Sequence, residues 1–153
     1  MTTWPQISID TERGYRMCFG CGPDNPIGLK LKFRWDGKTA RAKITPGEFY
    51  QGWADVLHGG IIMCILDEAM AYAALFEGMH CVTARMQVTL KRQVSIGETL
   101  IATASITRKT RKLVETKAAI SSKDGALVAE GTATQFVTNT STSSKEDKAQ
   151  NNG

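Results

Sequence analysis

The sequence predicts an α+β domain in which one long antiparallel sheet curls around a single central, buried helix. Three observations predict it. The run from Gly60 to about Phe76 has neither Pro nor strand alternation and is dense in Ile, Leu, Met and Ala, which reads as a helix apolar on nearly every face. Period-2 patterns flank it, two before and four after. Asp36-Gly37 and Lys123-Asp124-Gly125 are hairpin signals that join neighbouring strands antiparallel. A helix of that apolarity is satisfied only when a sheet covers it.

Residues 1–28 are rich in Gly and Pro, contain Cys18-Phe19-Gly20-Cys21-Gly22-Pro23, and read as an irregular lead-in. Leu29, Leu31, Phe33 and Trp35 alternate with Lys30, Lys32 and Arg34, the pattern of a half-buried strand. Thr39 to Ile44 is its returning partner, ended by Pro46-Gly47. A loop through Gln51-Gly52-Trp53 leads to His58 and the helix, with Gly78 as the stop. Val82, Ala84, Met86, Val88 and Leu90 then alternate with Thr83, Arg85, Gln87 and Thr89 in a long strand. Leu100 to Ile106, Val114 to Ile120 and Leu127 to Val137 follow as three more. Residues 139–153 are Ser, Thr, Asn and charge with no apolar anchor, the composition of a disordered tail. The predicted organisation is a lead-in over 1–28, one domain over 29–138 and a tail over 139–153.

A chain of 153 residues holds one core and not two. The net charge of +4 is spread along the sequence, which suits an anionic ligand but is not a nucleic-acid footprint. Met1 to Gln6 lack the basic start and apolar run of a signal peptide, so the cytoplasm is the expected location. The apolar stretch Ile61 to Leu66 is interrupted by Asp67 and Glu68, and no membrane span is expected. In a reducing compartment Cys18, Cys21, Cys64 and Cys81 are expected as free thiols, although an even count also permits two bridges. Cys18 and Cys21 have the spacing of a zinc pair, but zinc wants four ligands and no second pair exists, so no metal is expected.

Two features point to chemistry. An ionised Asp67 in a buried helix costs several kcal/mol unless it is paired or used. On a helix it shares a face with Gly60, Met63, Cys64, Ala71 and Ala74, a stripe of mostly small residues that a ligand or backbone can approach. Glu68 points about 100° further round. At the helix start, Gly59 and Gly60 place first-turn N–H groups where developing negative charge is favoured. Read singly, Asp67 is also an acid at the exposed end of a half-buried helix, and His58-Gly59-Gly60 is also a tight turn.

Taken together, His58-Gly59-Gly60-Ile61-Ile62-Met63-Cys64-Ile65-Leu66-Asp67-Glu68-Ala69 resembles the helix signature of the hotdog-fold thioesterases, in their phenylacetyl-CoA-thioesterase-like branch. The acid stands nine residues after the His, as in that branch. Cys18 to Gly22, Asn25-Pro26-Ile27-Gly28-Leu29 and Tyr50-Gln51-Gly52-Trp53 resemble other segments of such proteins, so the likeness covers roughly residues 17 to 138. It implies an acyl-CoA thioesterase of the hotdog fold, a homodimer at least and a homotetramer by family habit. No cofactor is implied, since coenzyme A is part of the substrate. By resemblance Asp67 is the catalytic carboxylate, as nucleophile or general base, and the Gly59 N–H polarises the thioester carbonyl. His58 braces the loop or touches substrate. Thr83 positions water from the neighbouring subunit, and Gln51 is a polar loop residue near the carbonyl. Gly60, Trp53, Glu68, Arg108 and Lys109 are the substrate-side candidates, Glu68 with a structural alternative and Trp53 with a core alternative. Lys91, Arg92, Arg108, Lys109, Arg111 and Lys112 cluster near strand ends and turns, where they suit the coenzyme's phosphates, with a solvated turn as the alternative. Asp55 stands where Gly is more usual in this loop. A non-catalytic acyl-CoA-binding or sensing protein is the rival reading, and a hydratase of the same fold a more distant one.

Overall fold

The computed structural model describes residues 8–10 and 12–140. Its elements are β1 (Ser8–Ile9), β2 (Arg34–Trp35), β3 (Thr39–Ile44), a 3-10 turn (Glu48–Tyr50), α1 (Gly59–Phe76), β4 (Cys81–Leu90), β5 (Leu100–Lys109), β6 (Leu113–Ser122), β7 (Leu127–Val137) and β8 (Asn139–Thr140). A six-stranded sheet runs in the order β2-β3-β5-β6-β7-β4, antiparallel throughout. The helix packs against one face of it, the α+β arrangement expected.

The two surfaces in contact divide the work. Ile62, Ile65, Leu66, Ala69, Met70, Ala73 and Ala74 form the buried stripe of α1. Opposite them the sheet offers mainly small residues, among them Ala40, Ala42, Ala102, Ala104, Ala129 and Ala133. Small side chains on the sheet let the helix settle close, and the bulk that fills the gap comes from Ile65, Leu66 and Met70, none of them exposed. Each such fully buried side chain stabilises the fold by about 1.5–3 kcal/mol. Further along α1, Tyr72 stacks on Phe33 and Phe76 on Trp35, tying the helix end to the first hairpin. That hairpin turns at Asp36, whose Oδ1 accepts the Lys38 and Thr39 N–H groups at 2.9 and 2.7 Å.

Four expectations change. The helix is buried on one face and not on nearly every face, because one sheet covers only one side; Gly60 and Met63 lie exposed on the other, with Asp67 half-buried beside them. It runs through Asp67 and Glu68, so by length and a mean hydropathy of 1.6 it does reach what a membrane crossing needs; its apolar stripe is spent on the sheet instead. The strand expected over 29–35 shrinks to Arg34–Trp35. Lys30 has φ +52°, which breaks the extended run, and the N–H groups of Leu29 and Leu31 bond to Phe19 and Gly20 of the lead-in at 2.8 and 2.9 Å. The tail expected from 139 begins with two residues, Asn139–Thr140, paired parallel to Ser8–Ile9; residues 141–153 lie outside the described residues.

Candidate active site

The loop before α1 is pinned at several points, and His58 is the last of them. Its N–H bonds to the Tyr50 carbonyl at 2.9 Å, while Leu57 N–H bonds to Val94 at 2.8 Å. With an extended backbone (φ −60°, ψ 132°), His58 is the N-cap of the helix, and its Nδ1 accepts the Gly60 N–H at 2.8 Å. That bond places the proton of the neutral ring on Nε2. The His58 carbonyl takes the Ile61 and Ile62 N–H groups at 3.0 and 3.3 Å. Of the first four donors of α1, one is left: the Gly59 N–H has no acceptor among the described residues. Both glycine donors were expected to be available. Gly60 is instead committed to the cap.

Gly59 lies in the wall of an open groove of about 770 Å³, which Trp53, His58, Ile62, Leu90, Lys91 and Arg92 also line. Trp53 is 86% exposed, so it belongs to this surface and not to the core. Lys91 pairs with Glu130 at 3.5 Å and Arg92 with Glu98 at 2.5 Å, both at the surface.

Asp67 lies on the open face of α1, and Thr83 Oγ1 donates to its Oδ1 at 2.5 Å. Strict alternation aims Thr83 away from the helix. The structure aims it inward through a bulge: Thr83 opposes Gln135 and Arg85 opposes Thr134 in β7, leaving Ala84 as the extra residue. Thr83 thereby joins the face of Met86 and Val88, which pack on the core. The contact forms within one chain, whereas the resemblance implied a Thr reaching across a subunit boundary. Cys64, one turn before Asp67, is no rival nucleophile, since its thiol is pushed up to about 11 by burial first and by Glu68 and Asp67 next.

The other candidates separate. Gln51 sits in the exposed loop with its Oε1 holding the Asp55 N–H at 2.8 Å, so its carbonyl end serves the turn. Asp55 has φ +63°, a left-handed backbone that explains why Gly suits this position. Asp55→Val is expected to destabilise the fold by about 1–2 kcal/mol, and Asp55→Gly to be neutral or better, both read by thermal unfolding. Glu68 turns to the lead-in, where Cys18 Sγ meets its Oε1 at 3.5 Å, and not to the groove. Lys109 pairs with Glu77 at 3.3 Å, at the far end of α1 from Gly59, and Arg108 pairs with Glu115 at 3.5 Å. An 18-residue helix spans about 27 Å, so Lys109 does not face the groove of its own chain. Lys91 and Arg92 are the cations that do.

One residue was missed by sequence reading. Gln135 is fully buried, sits directly across from Thr83, and neither end of its amide has a protein partner. The signal was available: it ends an inward run of small residues, Ala129, Gly131 and Ala133, with a polar side chain. An unpaired buried amide costs about 1–3 kcal/mol, so Gln135→Met is expected to raise the unfolding temperature.

Residues 54–129 match the family model described as the thioesterase superfamily. No curated protein matches the chain. A solved hypothetical thioesterase protein of Streptococcus pneumoniae with coenzyme A is similar with a TM-score of 0.68 at 15% identity, over 71% of this chain and 86% of that one. The PaaI protein of E. coli, from the phenylacetic acid degradation operon, gives 0.68 at 21% identity, over 74% and 84%. A Streptococcus mutans protein bound to acetyl CoA gives 0.67 at 18% identity, over 71% and 89%. At these identities the likeness is one of fold, and that fold is the hotdog.

Proposed function

Since the chain belongs to the thioesterase superfamily of hotdog-fold proteins, we propose that it hydrolyses acyl-CoA thioesters to a free acid and CoA. The observation that carries the reading is a carboxylate held by Thr83 on the one face of the core helix that the sheet leaves open. Two structures of the S. pneumoniae protein support it: they are alanine variants at an aspartate and at a threonine sixteen positions apart, the separation of Asp67 and Thr83.

In this reading the Gly59 N–H holds the thioester oxygen as it becomes an oxyanion. Asp67 takes the proton of a water whose oxygen attacks the carbonyl carbon, and collapse breaks the C–S bond so that CoA leaves as the thiol. The nucleophilic variant has an Asp67 oxygen attack first, with water then opening the anhydride. Thr83 keeps one carboxylate oxygen fixed so that the other faces the substrate. His58 holds the helix start rigid, Trp53 flanks the groove, and Lys91 and Arg92 offer charge to the CoA phosphates.

Distance then demands a second copy. Gly59 and Asp67 are eight residues apart, about 12 Å along the helix axis, while one reacting carbonyl must lie about 3 Å from both donor and acid. Gly59 of one copy therefore works with Asp67 and Thr83 of another. The fold leaves room for such a partner: among the described residues β4, ten residues long, is paired only to β7, and Gly60 and Met63 of α1 are exposed. A homodimer is the minimum unit in this proposal.

The test is a panel of short, long, branched and aromatic acyl-CoAs, with enzyme in excess and a thiol reagent as the readout. Stoichiometric release of CoA from at least one of them is expected. Acyl-CoA bound and recovered intact across the panel would assign the protein to binding or sensing instead.

A further inference from the structure

The Glu68 side of α1 meets the lead-in, and there three groups that the proposed reaction does not use converge. The thiols of Cys18 and Cys21 and a carboxylate oxygen of Glu68 all lie within 4.8 Å of one another, with Cys18 Sγ 3.5 Å from Glu68 Oε1. The sequence showed only a pair with zinc spacing. Its third member comes from fifty residues further on.

The arrangement is built, not casual. Cys18 N–H bonds to the Tyr15 carbonyl at 2.9 Å and Gly22 N–H to the Cys18 carbonyl at 2.8 Å, a knuckle that brings both thiols together. A Cβ on Gly22 would lie 2.4 Å from Cys18 N and 2.5 Å from the Arg16 carbonyl, so only glycine permits that turn. A Cβ on Gly20 would lie 2.6 Å from Glu68 Cδ and Oε2, so a side chain there would push the carboxylate from its present position. The Leu29 and Leu31 bonds to Phe19 and Gly20 lock the knuckle in place.

The charge balance is one-sided. Among the described residues Glu68 forms no ion pair, and its hydrogen-bond partner is a thiol. Three groups that repel one another as anions share a half-buried corner, and no ion pair among the described residues neutralises the Glu68 carboxylate.

We propose that Cys18, Cys21 and Glu68 form a site for a tetrahedral divalent metal ion, zinc by the softness of the two sulfurs. Bonds of about 2.3 Å to sulfur and 2.0 Å to oxygen put tetrahedral S and O ligands about 3.5 Å apart. The Cys18–Glu68 separation has that value. Binding releases the two thiol protons to solvent, and the ion takes up the thiolate charge. The fourth position opens on a cavity of about 330 Å³ that all three ligands line together with Tyr15, Tyr72 and His80, where water completes the shell. The ion ties the lead-in to α1 at the residue next to Asp67. Metal binding is read on the protein alone, so the proposal stands or falls apart from thioester hydrolysis.

The experiment is titration of the reduced, demetallated full chain with Co²⁺ and then Zn²⁺, followed by absorbance, metal analysis and thermal unfolding. One ion per chain, a thiolate-to-cobalt charge-transfer band displaced by zinc, and a higher unfolding temperature with zinc are expected. Cys18→Ser and Glu68→Gln are expected to weaken cobalt binding by roughly tenfold or more, while Cys81→Ser, on the same cavity, leaves it unchanged. Absence of the band from reduced wild-type protein overturns the site, whatever the variants do. So does freshly isolated protein whose mass shows Cys18 and Cys21 joined as a disulfide.

Discussion

Replacing Asp67 by Asn is expected to lower kcat for acyl-CoA hydrolysis by roughly 10³-fold, within the range that a positioned acid or base contributes. The substitution keeps the size of the side chain and an oxygen that accepts from Thr83 Oγ1, so the bulge in β4 and its contact with α1 are retained. What it removes is the group that takes a proton from water or attacks the carbonyl. KM is expected to change little, because the groove around Trp53, Lys91 and Arg92 is untouched. Thiol release at saturating substrate, with the unfolding temperature as a control, measures it. An unaltered rate in a folded variant would remove Asp67 from the mechanism.

Gly59→Pro is expected to cost about 10²–10³ in kcat, the loss measured elsewhere when one oxyanion donor is removed. The substitution is unusually clean here. Proline suits the first position of a helix, where its missing N–H breaks no helical bond, and the preceding His58 already has the extended backbone that proline demands. The nearest obstacle to a Cβ at Gly59 is the Leu90 Cδ1, the end of a flexible side chain, at 3.3 Å. Gly59→Ala meets the same obstacle and keeps the N–H, so it separates sterics from hydrogen bonding. Equal rates in the Ala and Pro variants would show that this donor does not touch the reacting oxygen.

Much of the fold was legible because its signals are local. The apolar run of α1, the alternation of β3 to β7 and the two Asp-Gly turns each act over a few residues, and each element formed where its pattern lies. The failures are places where distant chain decides. Leu29 and Leu31 alternate like a strand, yet their donors go to Phe19 and Gly20, a pairing that no periodicity encodes. Thr83 was placed on the wrong face because a bulge at Ala84 shifts the alternation by one, and a bulge has no signature in a run of strand formers. At the site, the sequence could name Gly59, Gly60 and Asp67 but not divide their labour. His58 Nδ1 takes one of the two glycine donors, and that is a matter of ring orientation. Glu68, one residue from Asp67, faces a different surface and different partners, since one helical step turns a side chain by about 100°.

The proposed division of the site between two copies rests on the 12 Å or so that separates Gly59 from Asp67 along one helix, and mixing two crippled chains tests it most directly. Gly59→Pro and Asp67→Asn are each expected to be nearly inactive alone. In a heterodimer of the two, one site combines both lesions and the other combines an intact Gly59 with an intact Asp67 and Thr83. Thiol release from an acyl-CoA by the co-assembled pair is therefore expected to recover to about half the wild-type rate per heterodimer, one site in two being whole. A mixture that assembles but hydrolyses no faster than its two parents would contradict the account.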